Sequence, residues 1–212
     1  VQHIAALIGL SETSASVLID QDIESLTAKL STEGFSAIYF PNATWANPAA
    51  LTRTDLVLDF DWETSALDPA VPANNFSVRW DAYLSAPSSG EYTLRVDVAE
   101  ADEAFKLYLD GNLIVEKISG VVNLSWDIAV TLNATRMHLL RLDYAETNQN
   151  AGVHLRWMKA TSAPEIIPAS VAYPTSILID FVSLATTYHR AAKFILGFGL
   201  SETELNHLIT YA

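Results

Sequence analysis

The sequence predicts a mainly β protein, an antiparallel β-sandwich inserted between α-helical flanking segments. Three observations predict it. Between Phe35 and about Tyr173, apolar residues recur with a period of two and turn residues separate the runs. On either side of that zone the apolar spacing is that of a helix. The pentapeptide Gly9-Leu10-Ser11-Glu12-Thr13 also returns as Gly199-Leu200-Ser201-Glu202-Thr203, once before the β zone and once after it.

Residues 1–33 read as the first helical flank. Ser11-Glu12-Thr13 is a helix start, and Val17, Leu18, Ile23, Leu26 and Leu30 follow at helical spacing until Gly34 stops them. The sandwich is expected over residues 34–174. In Phe76-Ser77-Val78-Arg79-Trp80-Asp81 the apolar side chains fall on one face and the polar ones on the other. Tyr92 to Val98, His138 to Tyr144 and Val153 to Trp157 repeat the pattern. Turns come from Pro87-Ser88-Ser89-Gly90, Asp110-Gly111-Asn112 and Asn148-Gln149-Asn150, the second a tight hairpin through the positive φ that Gly and Asn tolerate. Trp80, Tyr92, Tyr144 and Trp157 lie on apolar faces and read as core.

Residues 175–212 are helical again. Ile177, Phe181, Leu184, Tyr188, Ala192 and Ile195 make an apolar stripe ended by Gly197 and Gly199, and Ser201-Glu202-Thr203-Glu204 is a capping box for one more helix. A helical repeat on both sides makes the sandwich an insertion whose two ends lie close together. Leu26, Phe181, Leu184 and Ile195 are then expected to be buried where the flanks pack.

Charge and composition exclude several classes. The 212 residues carry 25 acids against 12 bases, a net charge of −13. With no basic cluster, nucleic acid is not a partner, and anionic membrane surfaces are disfavoured. The second flank holds Asp180, His189, Arg190 and Lys193 and is too polar to insert in a membrane. The absence of cysteine removes disulfides, thiolate zinc sites and cysteine nucleophiles. The run Val1 to Ile8 lacks a signal peptide's basic region and cleavage site, and the chain is expected to be part of a longer one.

The β zone resembles the PA-fourteen family, named for a fragment of anthrax protective antigen and found in adhesins, glycosidases and toxins. The matching pieces keep their order over the zone: Phe35 to Phe40, Leu58 to Trp62, Phe76 to Trp80, Pro87 to Leu94, Leu107 to Gly111, Leu142 to Tyr144, Val153 to Trp157, Ile167-Pro168 and Tyr173-Pro174. The flanks are similar, more loosely, to helical repeats in the A subunits of bacterial insecticidal toxin complexes. The residues that carry this are Tyr188 to Lys193, Gly197 to Ser201 and Glu204-Leu205. Those subunits carry β-sandwich receptor-binding domains inserted in an α-helical shell.

The resemblance implies a site. In sugar-binding members, two adjacent aspartates on a loop hold a calcium ion that binds glycan hydroxyls. The matching place reads Ala99-Glu100-Ala101-Asp102-Glu103-Ala104-Phe105, so Asp102 and Glu103 stand where two aspartates would and are the implied calcium ligands. Calcium takes about six to eight oxygens, and the longer Glu changes the reach. Asn148 and Asn150 lie on what resembles the second ligand loop and would contribute further oxygens. The alternative is a solvated acidic loop.

Catalysis is not specified. No spacing selects a pair of carboxyls facing across a cleft. The five histidines are scattered, Ser201 lacks the second glycine of a nucleophile elbow, and there is no Gly-rich phosphate loop. The four Asn-x-Ser/Thr sites at Asn42, Asn75, Asn123 and Asn133 exceed chance too little to argue a glycoprotein. The expected function is a non-catalytic module that binds a host-cell surface glycan or glycoprotein receptor, inserted in the helical shell of a larger secreted bacterial toxin and packed on the rest of that toxin chain. The alternatives are a purely structural shell module and an accessory domain of a carbohydrate-active enzyme.

Overall fold

A computed structural model describes residues 5–6, 9–20, 31–148, 150–159 and 162–211. The chain divides into two compact units, one formed by Glu33–Thr175 and one by Val1–Thr32 with Ser176–Ala212.

The first unit is the mainly β sandwich the periodicity predicts. Its strands are β1 (Phe35–Phe40), β2 (Leu51–Asp55), β3 (Asp59–Glu63), β4 (Phe76–Ser85), β5 (Gly90–Val98), β6 (Ala104–Leu109), β7 (Asn112–Lys117), β8 (Ser125–Leu132), β9 (Met137–Glu146), β10 (Ala151–Met158), β11 (Glu165–Ile166) and β12 (Ala172–Pro174). One sheet runs β2-β1-β4-β9-β6-β7 with β12 also on β4; the other runs β11-β10-β5-β8 with β3 also on β10. Every pairing between these strands is antiparallel, and in β4, β5, β9 and β10 buried residues alternate with outward ones. A one-residue slip in any of these would turn its apolar set to water, so burial fixes the register.

The strands that open and close the sandwich lie together. β1 pairs with the first half of β4 and β12 with the second half, and the Gly34 N–H donates to Ala172 O at 2.7 Å. Only glycine fits there: φ is +105° and a Cβ would stand 2.6 Å from Asp55 O. The chain therefore leaves the sandwich beside the point where it entered.

Trp80, Tyr92, Tyr144 and Trp157 are all buried in the core. At its centre Trp80 meets Phe60 at 5.7 Å, Tyr39 at 6.2 Å and Tyr144 at 6.3 Å between ring centroids. The carboxylate of Asp55 reaches this cluster and accepts hydrogen bonds from Tyr39 Oη, Trp80 Nε1 and Arg53 Nε. The β6–β7 hairpin turns at Asp110 and Gly111, both at positive φ. The Asp110 side chain accepts from the Leu139 N–H and from Nδ1 of buried His138. The other ring nitrogen of His138 accepts the Asn133 N–H, so this histidine acts as a strut.

In the second unit, α1 (Glu12–Asp20), α2 (Ser176–Phe198) and α3 (Glu202–Tyr211) show what the repeated pentapeptide does. Gly199 sits at φ +63° and ends α2, with Leu200 N–H bonded to Ile195 O and Gly199 N–H to Leu196 O, a Schellman closure. Gly9 sits at φ +74°, and the Leu10 N–H bonds to Ala5 O in the same way. Two residues after each glycine a serine caps the next helix: Ser14 N–H donates to Ser11 Oγ, and Glu204 N–H to Ser201 Oγ. Glu204 returns a carboxylate to the Ser201 N–H at 2.8 Å, completing the capping box. The repeat is a stop-and-restart signal between helices.

Ala5, Ala15, Tyr188 and Ala192 pack together with Leu10 and Leu184, so the two flanks share one small core. Ile195 is buried as expected and Leu184 is half-buried. Phe181 is not buried: it stands 51% exposed, as do Ile179, Val182, Phe194, Leu196 and Phe198 to similar or greater extent. Among the described residues, those of the first flank that pack against α2 are mostly small, Ala5 and Ala15 with Leu10. Leu26 lies outside the described residues. Among the described residues no helix is long and apolar enough to cross a membrane.

Candidate functional site

The loop joining β5 to β6 and the loop joining β9 to β10 meet at one end of the sandwich. Ala99 N–H donates to Gly152 O at 3.1 Å, and Gly152 is packed so closely that a Cβ would lie 3.2 Å from Ala99 Cβ, Asp61 Oδ1 and Phe60 O. Asp102 Oδ2 accepts the Asn148 N–H at 2.9 Å and the Thr147 hydroxyl at 3.1 Å. Asp102 and Asn148, matched from separate loops, are thus brought together. Asn150 turns instead to Glu100, its amide donating to Oε1 at 3.4 Å. Both asparagine side chains are exposed.

Glu103 departs from the expectation. It is buried, and its carboxylate braces the loop from below. Oε1 accepts the Tyr144 hydroxyl and the Gly152 N–H, and Oε2 accepts the Glu100 N–H. Burial pushes its pKa up, against the hydrogen bonds it accepts. Burial first, then the charge of Glu103, pushes the Tyr144 phenol well above its usual value.

The donor set does not fit the calcium ion that the family's adjacent acids imply. That ion needs several carboxylates converging with free lone pairs, and Glu103 faces inward with both oxygens already accepting. Among the described residues no group of three Asp, Glu, His or Cys side chains is arranged to hold a metal ion.

Sequence reasoning missed two residues under this loop. Glu146 is fully buried on β9; Oε2 accepts the Asn75 N–H at 3.0 Å, and Oε1 has no partner among the described residues. Lys117 is buried at the end of β7. Alternation carried the signal for the first: Leu140, Leu142, Tyr144 and Glu146 share one face of β9. For the second it was hairpin register, which sets Lys117 opposite inward-facing Phe105.

Burial, and after it the charges of Asp102 and Glu103, raise Glu146 from 4.5 to about 7. The folded protein keeps that proton where the unfolded chain has lost it. Its stabilising contribution is complete below 4.5 and is lost as pH rises through about 7. Urea midpoints are therefore expected to fall across that window, and Glu146→Gln should flatten the slope; an unchanged slope would rule the assignment out.

Two antiparallel sheets over one apolar core define a β-sandwich domain, and the meeting of the β5–β6 and β9–β10 loops is its candidate site. The family follows from the match of the PA14 domain model to residues 31–170: the chain belongs to the PA14 domain family. It is similar to an anti-sigma factor domain-containing protein from Clostridium clariflavum, with TM-score 0.61 and 24% identity over 68% of this chain and 48% of that one. The chain thus spans about half the length of that relative. It is also similar to the Epithelial Adhesin 6 A domain from Candida glabrata, solved in complex with Galb1-3GlcNAc, with TM-score 0.55 and 12% identity over 68% of this chain and 87% of the adhesin domain. A PA14 sugar-binding domain from an RTX adhesin matches with TM-score 0.55 and 16% identity over 68% of this chain and 99% of its own. No curated protein matches the chain.

Proposed function

We propose that the sandwich is a non-catalytic glycan- or glycoprotein-receptor-binding module of a larger secreted bacterial toxin, carried between helices of that toxin's shell. One observation carries the binding reading. Asp102 ties down the backbone of Asn148, so the exposed amides of Asn148 and Asn150 stand on a braced base where sugar hydroxyls can reach them. A fixed base lowers the ordering cost of binding. The sugar complex of the Candida glabrata adhesin domain and the sugar-binding RTX adhesin domain support the ligand class. The exposed apolar face of α2 supports a helical unit that packs on further protein. The two acids of the loop cluster whose pKa burial raises, Glu103 and Glu146, are both sealed inside.

The test is a glycan array, followed by titration of the best ligand. Asn148→Ala and Asn150→Ala together are expected to weaken binding about thirtyfold, from roughly 1 kcal/mol net for each of two lost hydrogen bonds, without a change in melting temperature. No glycan bound at any concentration would favour the structural shell reading.

A further inference from the structure

The loop before β6 holds two adjacent acids, and the chain provides its own cation beside them. The Lys117 ammonium donates to Ala101 O at 2.7 Å and to Glu103 O, with the centroid of the Trp126 ring 6.0 Å away. Ala101 O also accepts the Gly120 N–H at 2.8 Å, so β7, the connection after it and the acidic loop are tied at one point. Burial pushes the Lys117 pKa down, while the charges of Glu103 and Asp102 push it up. A buried ammonium persists where carbonyls and carboxylates replace its water.

We propose that Lys117 is the built-in cation of this loop: its ammonium supplies the positive charge that a metal ion would bring, so the segment carrying Asp102 is formed without calcium. Two backbone carbonyls of the kind that ligate calcium already accept from the ammonium. A divalent ion added beside them would meet a fixed positive charge where water screens poorly. Asp102, whose charge acts on Lys117, has one buried oxygen, Oδ1, without a partner among the described residues, and removal of Lys117 would leave that oxygen to a cation. The proposal concerns how the loop is held and stands apart from the identity of any ligand.

Thermal unfolding of the whole chain with EDTA and with millimolar calcium tests it. The unaltered protein should melt at the same temperature in both. Lys117→Met, which keeps the apolar stem and removes the charge, should melt several degrees lower in EDTA and recover part of that loss in calcium, because an ion bound only by the folded state stabilises it. A calcium-induced rise in the unaltered protein that disappears in Asp102→Asn would overturn the proposal. So would a Lys117→Met variant as stable as its parent, or one indifferent to calcium. Should Lys117→Met not fold, calorimetric titration of calcium into the unaltered protein decides: no heat of binding supports the built-in cation, and a saturable one overturns it.

Discussion

Trp80→Ala is expected to lower the stability of the sandwich by about 3–5 kcal/mol. Trp80 is fully buried and sits between Ala37 on β1 and Leu142 on β9, at the middle of its sheet. Its ring holds Phe60, Tyr39 and Tyr144 in contact, and its indole N–H is one of three donors that keep the Asp55 carboxylate satisfied. Truncation would open a cavity the surrounding strands cannot close and loosen a buried charge in the same step. Trp80→Phe should cost less, about 1–3 kcal/mol, since it keeps a six-membered ring in the core and loses the N–H together with only part of the indole. Tryptophan emission during denaturation reads the sandwich alone, because Trp45, Trp62, Trp126 and Trp157 all lie within it. Trp126→Ala, at a half-buried position on an outer strand, should cost less than half as much. Equal losses at the two positions would mean that the aromatic cluster does not organise the core.

The strands that were legible in the sequence are those whose two faces differ most. β4, β5, β9 and β10 are central and long, so their alternation is undiluted. β2, Leu-Thr-Arg-Thr-Asp, is an edge strand with one fully buried residue, and that residue is the polar Asp55, so period two finds nothing apolar to register. β8 carries the alternation in Trp126, Ile128, Val130 and Leu132, a signal the sequence reading leaves unused. The helical stripe of α2 was readable as a period but not as a burial pattern. Period shows that Phe181 and Ile195 share a helix, yet the size of the neighbouring surface decides which is covered, and Ala5 and Ala15 cover little.

The site was half legible for a related reason. Matching loops by resemblance finds which residues are near one another, and Asp102 with Asn148 are near. It does not tell an acid that faces water from one that faces the core, because adjacent residues point in opposite directions and the chain's entry into β6 decides which is which. Phe105 and Leu107 face inward along β6, so by parity Glu103, two residues before Phe105, does too. Asp102 falls on the other side.

Glu103→Ala follows from that parity and is expected to be nearly as damaging as the loss of Trp80, at about 3 kcal/mol or more. Removal of the carboxylate leaves the Tyr144 hydroxyl and the N–H groups of Gly152 and Glu100 without an acceptor, and each buried unsatisfied donor costs about 1–3 kcal/mol. The loss would be local in origin, since Glu100 lies in the loop that carries Asp102 and Gly152 stands at the start of β10, just after the loop that carries Asn148 and Asn150. Glu103→Gln should fall between the variant and its parent. One amide oxygen can still accept from Tyr144 and Gly152, while the NH2 group would face the Glu100 N–H, donor against donor. Asp102→Asn changes a half-exposed group that keeps an acceptor for the Asn148 N–H, and it should leave stability within about 0.5 kcal/mol, as surface substitutions usually do. Chemical denaturation of the three variants in parallel gives the order. If Asp102→Asn proves as destabilising as Glu103→Ala, the two acids have been assigned to the wrong faces of the loop. A Glu103→Ala protein as stable as its parent would mean that the buried carboxylate does not brace the site at all.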